Sequence, residues 1–327
     1  MNERGASGAA FCYTAPMYDL IIIGGGPAGV AAAVYAARKH LKTVLVAEEI
    51  GGQSTVSEGI ENWIGAPKIH GQELAKLFKE HLNAVKGEFL ELATGERVVS
   101  LEKTRDGTFA AKTRGGKAYA ARAVLVVSGA GRRKLDIPGA DKFENKGVTY
   151  CASCDGPLFA GMDVAVVGGG NAGFETALQL LAYAKSVTLI HRHAEFKADP
   201  ITVEKAAAHQ NICIIKHAEP VEVVGPPAGG FVTGLRYVDK DSGETKEIPV
   251  SGIFVEVGVM PNTGFVEGLV TLDSIKRIKV DPHNQRTSVP GIWAAGDCTD
   301  ELYHQNNIAA GDGVKALEDI YIWLKMQ

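Results

Sequence analysis

The chain has 327 residues, of which 46% are hydrophobic and 22% charged, and its formal net charge is −4. This length accommodates about two domains, and the composition is that of a folded protein rather than a disordered one. No cluster of lysine and arginine stands out, which argues against a nucleic-acid partner because phosphate binding requires a basic face. Glycine is over-represented, with 39 residues, and this indicates tight turns and close approach of the backbone to ligands.

The N-terminal segment lacks the apolar stretch of a secretion signal. We therefore expect residues 1–16 to form a loose extension and the folded chain to begin at Met17. Leu20 to Ala37 is uncharged, but the glycines and the proline in its middle would expose backbone polar groups in lipid, so a strand, a turn and a helix explain it better than a membrane span. Five cysteines are too few for a secreted disulfide scaffold. We expect a cytoplasmic protein without membrane contact.

A strand–turn–helix–strand pattern occurs twice along the chain. In the first copy, an apolar strand (18–23) leads into GGGPAG at residues 24–29, a helix (30–39) and a second strand (43–47). In the second copy, strand 163–167 leads into GGGNAG at residues 168–173, a helix (174–184) and strand 186–190. A G-x-G-x-x-G turn between a strand and a helix is typical of a dinucleotide-binding unit, and two copies in this context disfavour a chance glycine-rich turn.

The residues of each turn have separate roles in binding a dinucleotide. The first glycine permits the turn, the second lets the backbone approach a pyrophosphate, and the third allows close packing of helix and strand. The helix N-terminus offers free N–H groups to the phosphates. The predicted cofactor-binding residues of the two turns are Gly24, Gly26, Pro27, Ala28, Gly29, Gly168, Gly170, Asn171, Ala172 and Gly173.

The residues after the second strand of each copy distinguish the two units. Glu48 ends the first copy, and a carboxylate there can bind the free ribose hydroxyls of FAD or NAD. The second copy has no acid at this point but has His191 and Arg192, with Lys197 further on. Cations at this position favour the 2′-phosphate of NADPH, and a solvated basic turn is the alternative.

The two units predict an α/β protein with two Rossmann-like dinucleotide-binding domains, the second inserted into the first. A strand at residues 118–127 precedes one crossover, and the segment 258–262 forms the return. The first domain is predicted to comprise residues 17–131 and 259–327, and the second residues 132–258. The glycine- and proline-rich segment 225–230 is predicted to be a hairpin tip.

Cys151 and Cys154 form a C-x-x-C just ahead of the second glycine turn. A zinc site would require a second such pair, which the sequence lacks, so a redox-active dithiol is the better interpretation and no metal site is expected. Asp155 follows immediately. A carboxyl group beside a dithiol can transfer the proton that the redox step requires, or it can serve as a turn residue.

Two further cysteines and an acid complete the candidate residues. Cys213 lies in an apolar run and is predicted to be buried on a strand. Near the C-terminus, a predicted strand (291–295) is followed by Asp297, a helix begins near residue 308, and Cys298 is expected to serve packing. Asp297 can bind the ribitol hydroxyls of a flavin, or it can cap a helix.

From Met17 to Leu324 the chain resembles the low-molecular-weight thioredoxin reductases. The resemblance rests on GGGPAG (24–29), GGQ (51–53), ENW (61–63), CASCDG (151–156) and GD (296–297) with Gln305. It implies a homodimer with FAD in the first domain and NADPH in the second. It also implies that Cys154 faces the flavin, that Cys151 attacks the partner's disulfide and that Asp155 donates a proton. The implied FAD contacts are Glu48, Gly52, Gln53, Asn62, Asp297, Gln305 and Asn306.

The second half of the chain is also similar to the flavoprotein subunit of alkyl hydroperoxide reductase, as CDGPLF (154–159) and GDCT (296–299) indicate. That subunit carries additional N-terminal thioredoxin-like domains, whereas only 16 residues precede Met17 here, so we expect electrons to pass to a separate dithiol protein. Thioredoxin reductases usually hold the 2′-phosphate with His-Arg-Arg-x-x-x-Arg. The corresponding residues here are His191, Arg192, His193 and Lys197, so NADPH is favoured while NADH or another donor stays open.

The sequence therefore predicts an FAD-dependent thioredoxin-disulfide reductase that takes electrons from NAD(P)H. One alternative is an NADH-dependent reductase that serves a peroxidase through a small dithiol carrier. Another is a flavin-bound redox sensor with little turnover. A reductase of ferredoxin or flavodoxin on the same fold is disfavoured, because that role does not need Cys151 and Cys154.

Overall fold

The computed structural model describes residues 17–57 and 60–327, apart from the side chains of Ser153, Cys154 and Val259. The predicted extension 1–16 lies outside the described residues. The chain forms two compact units. The first comprises the residues up to Ser54 with Glu73–Gly129 and Pro261–Gln327, and the second comprises Thr55–Gln72 and Ala130–Met260. The segment 55–72 thus groups with the second unit, whereas it lies within the predicted bounds of the first domain.

The strands of the described residues are numbered in chain order. They are β1 (Met17–Ile23), β2 (Thr43–Ala47), β3 (Leu90–Thr94), β4 (Val98–Lys103), β5 (Phe109–Thr113), β6 (Ala118–Val126), β7 (Ala130–Arg132), β8 (Val148–Thr149), β9 (Asp163–Val167), β10 (Ser186–Ile190), β11 (Ile212–Ile215), β12 (Ala218–Val224), β13 (Gly234–Asp239), β14 (Thr245–Pro249), β15 (Gly252–Val255), β16 (Val259–Pro261) and β17 (Ile292–Ala294).

The helices are likewise numbered in chain order. They are α1 (Pro27–Arg38), α2 (Gly71–Val85), α3 (Ala152–Asp155), α4 (Asn171–Leu180), α5 (Pro200–Ala207) and α6 (Asn306–Lys325). Short 3₁₀ helices cover Gly52–Val56, Gly156–Phe159 and Gly264–Val266. Within residues 17–57 and 60–327, no helix combines the length and the apolar character that crossing a membrane requires.

The first unit is built on one sheet with the strand order β3-β2-β1-β6-β5-β4, and β17 also pairs with β6. The pairs among β1, β2, β3, β6 and β17 are parallel, and β4 and β5 complete the sheet as antiparallel strands. Ile22, Leu45 and Leu125 from three neighbouring strands pack with Leu317 of α6 in one apolar cluster. Each such buried side chain contributes about 1.5–3 kcal/mol to stability.

The second unit has a parallel sheet with the order β11-β10-β9-β15-β8. Phe174 of α4 packs on this sheet against Val166 and Leu189. A smaller antiparallel sheet has the order β12-β13-β14, and the segment 225–230 connects its first two strands, which confirms the predicted hairpin tip. Strands β7 and β16 form a two-stranded sheet.

The α/β fold with two Rossmann-type sheets is confirmed. Strands 43–47, 163–167 and 186–190 have the predicted bounds. The helices that follow the glycine turns begin three residues earlier than predicted, at Pro27 and Asn171. They do so because the second glycine of each turn already serves as the helix N-cap, so the last residues of each turn form the first helical turn.

Candidate active site

The first glycine of each turn occupies a position where a larger residue would not fit. Gly24 has a φ of 126°, and a Cβ atom there would lie 2.1 Å from the carbonyl oxygen of Val127. In the second unit, Gly168 has a φ of 134°, and its Cβ would lie 2.1 Å from the carbonyl oxygen of Glu256. Both the positive φ and the steric clash require glycine.

The third glycine brings each helix against its own turn. A Cβ atom at Gly29 would lie 2.0 Å from the carbonyl oxygen of Gly24, and a Cβ at Gly173 would lie 2.1 Å from that of Gly168. Helices α1 and α4 can therefore begin directly beside the preceding strand only because these residues have no side chain.

The second glycine of each turn faces open space. A Cβ atom at Gly26 or Gly170 would meet no described atom within 4 Å. Each of these residues is an N-cap with extended backbone, ahead of α1 in one unit and α4 in the other. The N–H groups at a helix N-terminus have no partners within the helix, and they attract anions. Each turn therefore has the space and the polarity that a pyrophosphate requires.

Glu48 lies directly after β2, where the sequence predicts a ribose contact. Its carboxylate accepts a hydrogen bond from Arg97 at 3.0 Å and lies 4.0 Å from the guanidinium of Arg114. The side chain is half exposed. The arginines thus hold the carboxylate at the end of the strand while it stays accessible to a ligand.

The chain after β2 returns to the first glycine turn. The N–H of Gly51 donates to the carbonyl oxygen of Gly25 at 2.8 Å. A Cβ atom at Gly52 would lie 3.2 Å from the Cα of Gly26. Gly52 is thereby placed beside the open glycine of the turn, as expected for two residues that contact one ligand.

The start of α6 meets the same region of the first unit. The hydroxyl of Ser54 donates to Oδ1 of Asn306 at 3.0 Å, and Gln305 is the N-cap of α6. Gln53, beside Ser54, has an exposed side chain. The structure therefore brings Gln53 and Asn306, two of the predicted flavin contacts, close together in space.

Asp297 follows β17 in the first unit and is partly buried. Burial raises the pKa of Asp297, and the nearby His304 opposes this effect. The N-cap of α6 is Gln305, so the alternative interpretation of Asp297 as the cap of this helix is wrong. Cys298 is fully buried, and burial raises its pKa to about 11, which confirms its packing role.

Asn62 is the one predicted flavin contact that the structure groups elsewhere. It lies in the segment 55–72, which belongs to the second unit, and its side chain is exposed. Glu48, Asp297 and Gln305 all belong to the first unit.

His191, directly after β10, faces inward rather than towards solvent. The residue is 8% exposed, and its Nε2 lies 2.9 Å from the carbonyl oxygen of Glu195. A Cβ atom at Gly169 would lie 2.5 Å from the imidazole ring, so the ring packs directly on the glycine turn. Burial lowers the pKa of His191. The side chain therefore packs against the second glycine turn and is not presented to solvent.

The basic residues after His191 are exposed and lie close to the second glycine turn. The N–H of Lys197 donates to the carbonyl oxygen of Gly169 at 3.0 Å, which returns the loop to the turn. Nε of Arg192 donates to Nε2 of His193 at 3.0 Å. The guanidinium of Arg192 also lies 4.0 Å from the carboxylate of Glu219 on β12. Cations are thus present where the sequence predicts them, but one of them is paired with an acid.

The side chain of Asn171, the first residue of α4, is engaged within the second unit. Its Nδ2 donates to the carboxylate of Asp199 at 3.2 Å, and its Oδ1 accepts from the N–H of Asp199 at 2.6 Å. Asp199 is in turn the N-cap of α5. Ala172, the next residue of α4, is exposed. Asn171 therefore joins the N-termini of two helices at the predicted nucleotide site.

The C-x-x-C opens the short helix α3, and Cys151 is disulfide-bonded. The N–H of Cys151 donates to the hydroxyl of Thr149 at 3.4 Å, and this hydroxyl donates in turn to the carboxylate of Asp155 through a short hydrogen bond. The predicted role of Cys154 rests on a side chain outside the described part of the structure. Asp155 precedes the 3₁₀ helix Gly156–Phe159 without capping it through its side chain, so its carboxylate is held beside the dithiol instead.

Cys213 corrects one prediction. It lies on β11 as expected, but its side chain is exposed, because β11 is the edge strand of the parallel sheet. In the described part of the chain, no three histidine, cysteine or acidic side chains cluster closely enough to hold a metal ion.

The model of the pyridine nucleotide–disulphide oxidoreductase family matches residues 18–313. The chain belongs to this family. Among solved structures, it is similar to a thioredoxin reductase from Lactococcus lactis, with a TM-score of 0.90 and 34% identity over 95% of this chain and 100% of that one.

Curated relatives of the family carry other names. The chain is 41% identical over 299 residues to a protein of Escherichia coli that is named as a subunit of alkyl hydroperoxide reductase. It is 40% identical over 299 residues to a protein named NADH dehydrogenase from Bacillus subtilis. In both cases the match covers 91% of this chain and 57% of the relative. The chain thus spans little more than half the length of these relatives.

Membership of the pyridine nucleotide–disulphide oxidoreductases, together with the similarity to a solved thioredoxin reductase, bears on the cofactors of the chain. It implies FAD and NAD(P)H as cofactors. The residues present fit two dinucleotides, because each unit offers an open glycine, Gly26 or Gly170, at a helix N-terminus. The disulfide at Cys151 is a redox group of this chain in addition to the implied FAD and NAD(P)H.

Two residues of this oxidoreductase were not singled out from the sequence. Thr149 contacts Asp155, and Glu219 contacts Arg192. Thr149 lies two residues before Cys151, and a search for hydroxyl groups near the dithiol could have found it. Glu219 comes from a separate strand, so no pattern around Arg192 indicates it.

Proposed function

We propose that the chain is an NAD(P)H-dependent reductase of a small thioredoxin-like dithiol protein. The arrangement of Cys151, Thr149 and Asp155 carries this proposal. The hydroxyl of Thr149 contacts both the N–H of Cys151 and the carboxylate of Asp155, so a carboxylate is held beside the disulfide at the short helix α3. The similarity to a thioredoxin reductase over the whole length of that protein supports the same function.

The residues of the chain have distinct proposed roles. FAD and the nicotinamide nucleotide, when bound, supply the transfer of two electrons. Gly24, Gly26 and Gly29 with Glu48 bind the FAD pyrophosphate and ribose, and Asp297 accepts hydrogen bonds from the ribitol hydroxyls. Gly52, Gln53, Gln305 and Asn306 complete this site. Gly168, Gly170 and Gly173 bind the pyrophosphate of the nicotinamide nucleotide, and Asn171 and Ala172 contribute the first turn of α4.

The dithiol transfers the electrons by disulfide exchange. The Cys151 thiolate attacks the partner's disulfide, one sulfur of which leaves as a thiolate, and a mixed disulfide forms. The Cys154 thiolate then attacks Cys151, which releases the partner as a dithiol and restores the Cys151–Cys154 disulfide. Asp155 holds or donates the proton that the leaving thiolate requires, and Thr149 keeps its carboxylate in position.

The electron donor is proposed to be NADPH, as Arg192 and Lys197 favour, with NADH as the second candidate. Three observations favour NADH. His191 is packed inward and Arg192 is paired with Glu219, and a relative is named NADH dehydrogenase. The relatives named after alkyl hydroperoxide reductase favour a carrier that serves a peroxidase as the partner. A homodimer is proposed with the same function.

The decisive experiment combines two readouts on the FAD-loaded protein. Anaerobic bleaching of flavin absorbance by NADPH and by NADH in parallel identifies the donor. Reduction of a thioredoxin disulfide is then followed in the wild type and in Cys151→Ser, with Cys213→Ser as the control because Cys213 is an exposed cysteine of the same unit. We expect Cys151→Ser to retain bleaching and lose disulfide reduction, and Cys213→Ser to retain both.

Three outcomes would contradict the proposal. Disulfide reduction by Cys151→Ser would exclude the dithiol as the electron carrier. Bleaching by neither nucleotide would exclude a pyridine nucleotide as the donor. Normal bleaching with negligible turnover on any protein disulfide, together with a stable complex with a partner, would instead favour the redox sensor.

A further inference from the structure

The end of β10 in the second unit lacks the acid that binds a ribose diol in many dinucleotide sites. The residue at this point, His191, is packed against Gly169 and is not available to a ligand. Recognition of the ribose and of any 2′-phosphate therefore falls to the residues around it. The loop that follows provides cations, of which Arg192 is 60% exposed on its side chain.

Strand β12 supplies an acid at the same place. The N–H of Ala218 donates to the carbonyl oxygen of His191 at 3.0 Å, so the start of β12 lies along the chain that leaves β10. The next residue, Glu219, has its carboxylate 4.0 Å from the guanidinium of Arg192. The other oxygen of the same carboxylate forms a short ion pair with Lys240.

We propose that Glu219 sets the nucleotide selectivity of this chain by lowering its affinity for the 2′-phosphate of NADPH relative to NADH. The inference rests on the proposed function, in which the second unit binds the nicotinamide nucleotide. It adds a residue that acts against one of the two nucleotides, whereas Arg192 and Lys197 act in favour of it.

The charges explain the direction of the effect. A 2′-phosphate is strongly anionic near neutral pH, so a carboxylate within reach of Arg192 repels it. Glu219 also pairs with Arg192 and Lys240, and it thereby competes with the phosphate for the guanidinium of Arg192. NADH has a hydroxyl group in place of the phosphate. A carboxylate can accept a hydrogen bond from that hydroxyl, so Glu219 does not disfavour NADH.

The test is Glu219→Gln in the FAD-loaded protein, which removes the charge and keeps the shape. The readout is kcat/KM for flavin bleaching with NADPH and with NADH. We expect the ratio of NADPH to NADH to rise about fivefold, the size of a single exposed charge interaction, with little change for NADH. Because these charges are exposed, the gain should shrink as salt is raised.

Strand β12 also provides a matched control. Glu222 is likewise ion-paired with an arginine, Arg236, and also lies on β12. Glu222→Gln removes the same charge from the same strand, and we expect it to leave the ratio unchanged. In the double variant Arg192→Ala/Glu219→Gln, part of the gain should be lost, because a released Arg192 is one source of it and the removed repulsion is the other.

A binding measurement separates this inference from the proposed function. Calorimetry compares adenosine 2′,5′-bisphosphate with 5′-AMP, neither of which transfers electrons. Glu219→Gln should bind the 2′-phosphorylated ligand about fivefold more tightly than the wild type and should bind 5′-AMP equally well.

An unchanged ratio in Glu219→Gln, or an equal rise in Glu222→Gln, would overturn the role of Glu219 while the reductase function stands. If neither nucleotide bleaches the wild-type flavin, the reductase proposal fails. The calorimetry then decides the role of Glu219 by itself, because equal affinities of wild type and Glu219→Gln for the bisphosphate would overturn it.

Discussion

The glycine turns of the two units obey the same steric constraints. Gly24 and Gly168 have φ values of 126° and 134°, and a Cβ at either would lie 2.1 Å from a carbonyl oxygen of a neighbouring strand end. Gly26 and Gly170 both face open space. The residues beside the turns differ. In the first unit, Glu48 is half exposed at the strand end, whereas in the second unit the corresponding His191 is buried.

The contrast separates two tasks of a dinucleotide site. The turn binds a pyrophosphate through backbone groups, so its geometry is the same whichever nucleotide is bound. The choice of nucleotide depends on the strand end and on its neighbours. In the second unit, the middle glycine, Gly169, accommodates the ring of His191, whereas in the first unit Gly25 faces the carbonyl oxygen of Glu49. Because His191 packs against its own turn, the residue at the strand end of the second unit is not available to a ribose, whereas Glu48 in the first unit remains exposed.

The largest expected effect on stability and cofactor binding comes from replacing the first glycine of each turn by alanine. Gly24→Ala and Gly168→Ala each place a Cβ against a carbonyl oxygen at positive φ, which costs about 2 kcal/mol or more of stability. Gly24→Ala should lose FAD. Gly168→Ala should keep FAD and lose bleaching by either nucleotide. Flavin content after purification and anaerobic bleaching measure the two effects.

The matched controls are Gly26→Ala and Gly170→Ala, where a Cβ meets no described atom within 4 Å. Their melting temperature without added cofactor should stay much closer to that of the wild type, because only the N-cap preference for glycine over alanine is lost. Affinity for the cofactor of the same unit should fall, because the Cβ enters the space of the pyrophosphate. If Gly168→Ala lost FAD as readily as Gly24→Ala, the two turns would not serve separate cofactors.

The second prediction compares how stability changes when one acid of each unit is neutralised, the buried Glu256 of the second unit and the partly buried Asp297 of the first. Glu256 accepts a hydrogen bond from Thr176 at 2.8 Å and forms a short ion pair with Arg132, and its side chain is 6% exposed. Glu256→Gln leaves Arg132 without its charge partner, so the free energy of unfolding should fall by about 2 kcal/mol or more. Urea unfolding of the second unit, followed by far-UV circular dichroism, measures this loss.

Asp297→Asn in the first unit should have the opposite effect on stability. Burial raises the pKa of both Glu256 and Asp297, so folding disfavours the ionised form of each. At Glu256 the ion pair with Arg132 offsets this cost, whereas at Asp297 the nearby His304 opposes it, and a neutral amide removes the cost there. We expect the FAD-free variant to be more stable than the FAD-free wild type near neutral pH and to bind FAD more weakly. A less stable FAD-free variant would show that Asp297 has a structural role, as Glu256 does.

The regular parts of both units could be predicted from the sequence because they depend on local pattern. The bounds of β2, β9 and β10 follow from short apolar runs, of which β9 ends at a glycine turn and the other two end directly before Glu48 and His191. The roles of Gly24 and Gly168 follow from their place between a strand and a helix. These features need no information about the rest of the chain.

The residues that distinguish the two nucleotide sites could not be predicted in this way. The inward orientation of His191 depends on the missing side chain at Gly169 and on a loop that closes over the ring. The position of Glu219 depends on the register of a later strand. The exposure of Cys213 depends on β11 being an edge strand, whereas its apolar neighbours in sequence indicated burial.

The third prediction concerns the dithiol, which only the second unit carries among the described residues. Thr149→Val removes the hydroxyl that donates to the carboxylate of Asp155. Disulfide reduction should slow about tenfold, part of the contribution of a well-placed proton donor, while bleaching by the nucleotide is unchanged. The pH profile of disulfide reduction should also shift.

Thr149→Ser keeps the hydroxyl and should restore the rate and the pH profile of the wild type. This control matters because Thr149 is buried, and loss of packing alone could slow the reaction. Equal losses in the valine and serine variants, without a shift in the pH profile, would mean that Thr149 acts only through packing.

The smallest effect tests whether the ring of His191 is a structural part of the second turn. Burial lowers its pKa below the usual value of about 6.5, so the folded protein binds a proton at this ring less readily than the unfolded chain. The stability that follows is fully present above about pH 6.5 and is lost as the pH falls below it towards the folded-state pKa.

Urea unfolding between about pH 7.5 and pH 5.5 should show this decrease in the wild type. The decrease should be smaller in His191→Gln and unchanged in His209→Gln, which removes an exposed histidine of the same unit. Because the first unit has a backbone carbonyl where the second has this ring, acid should weaken the second glycine turn selectively. Bleaching by the nucleotide should therefore fail at a higher pH than retention of FAD.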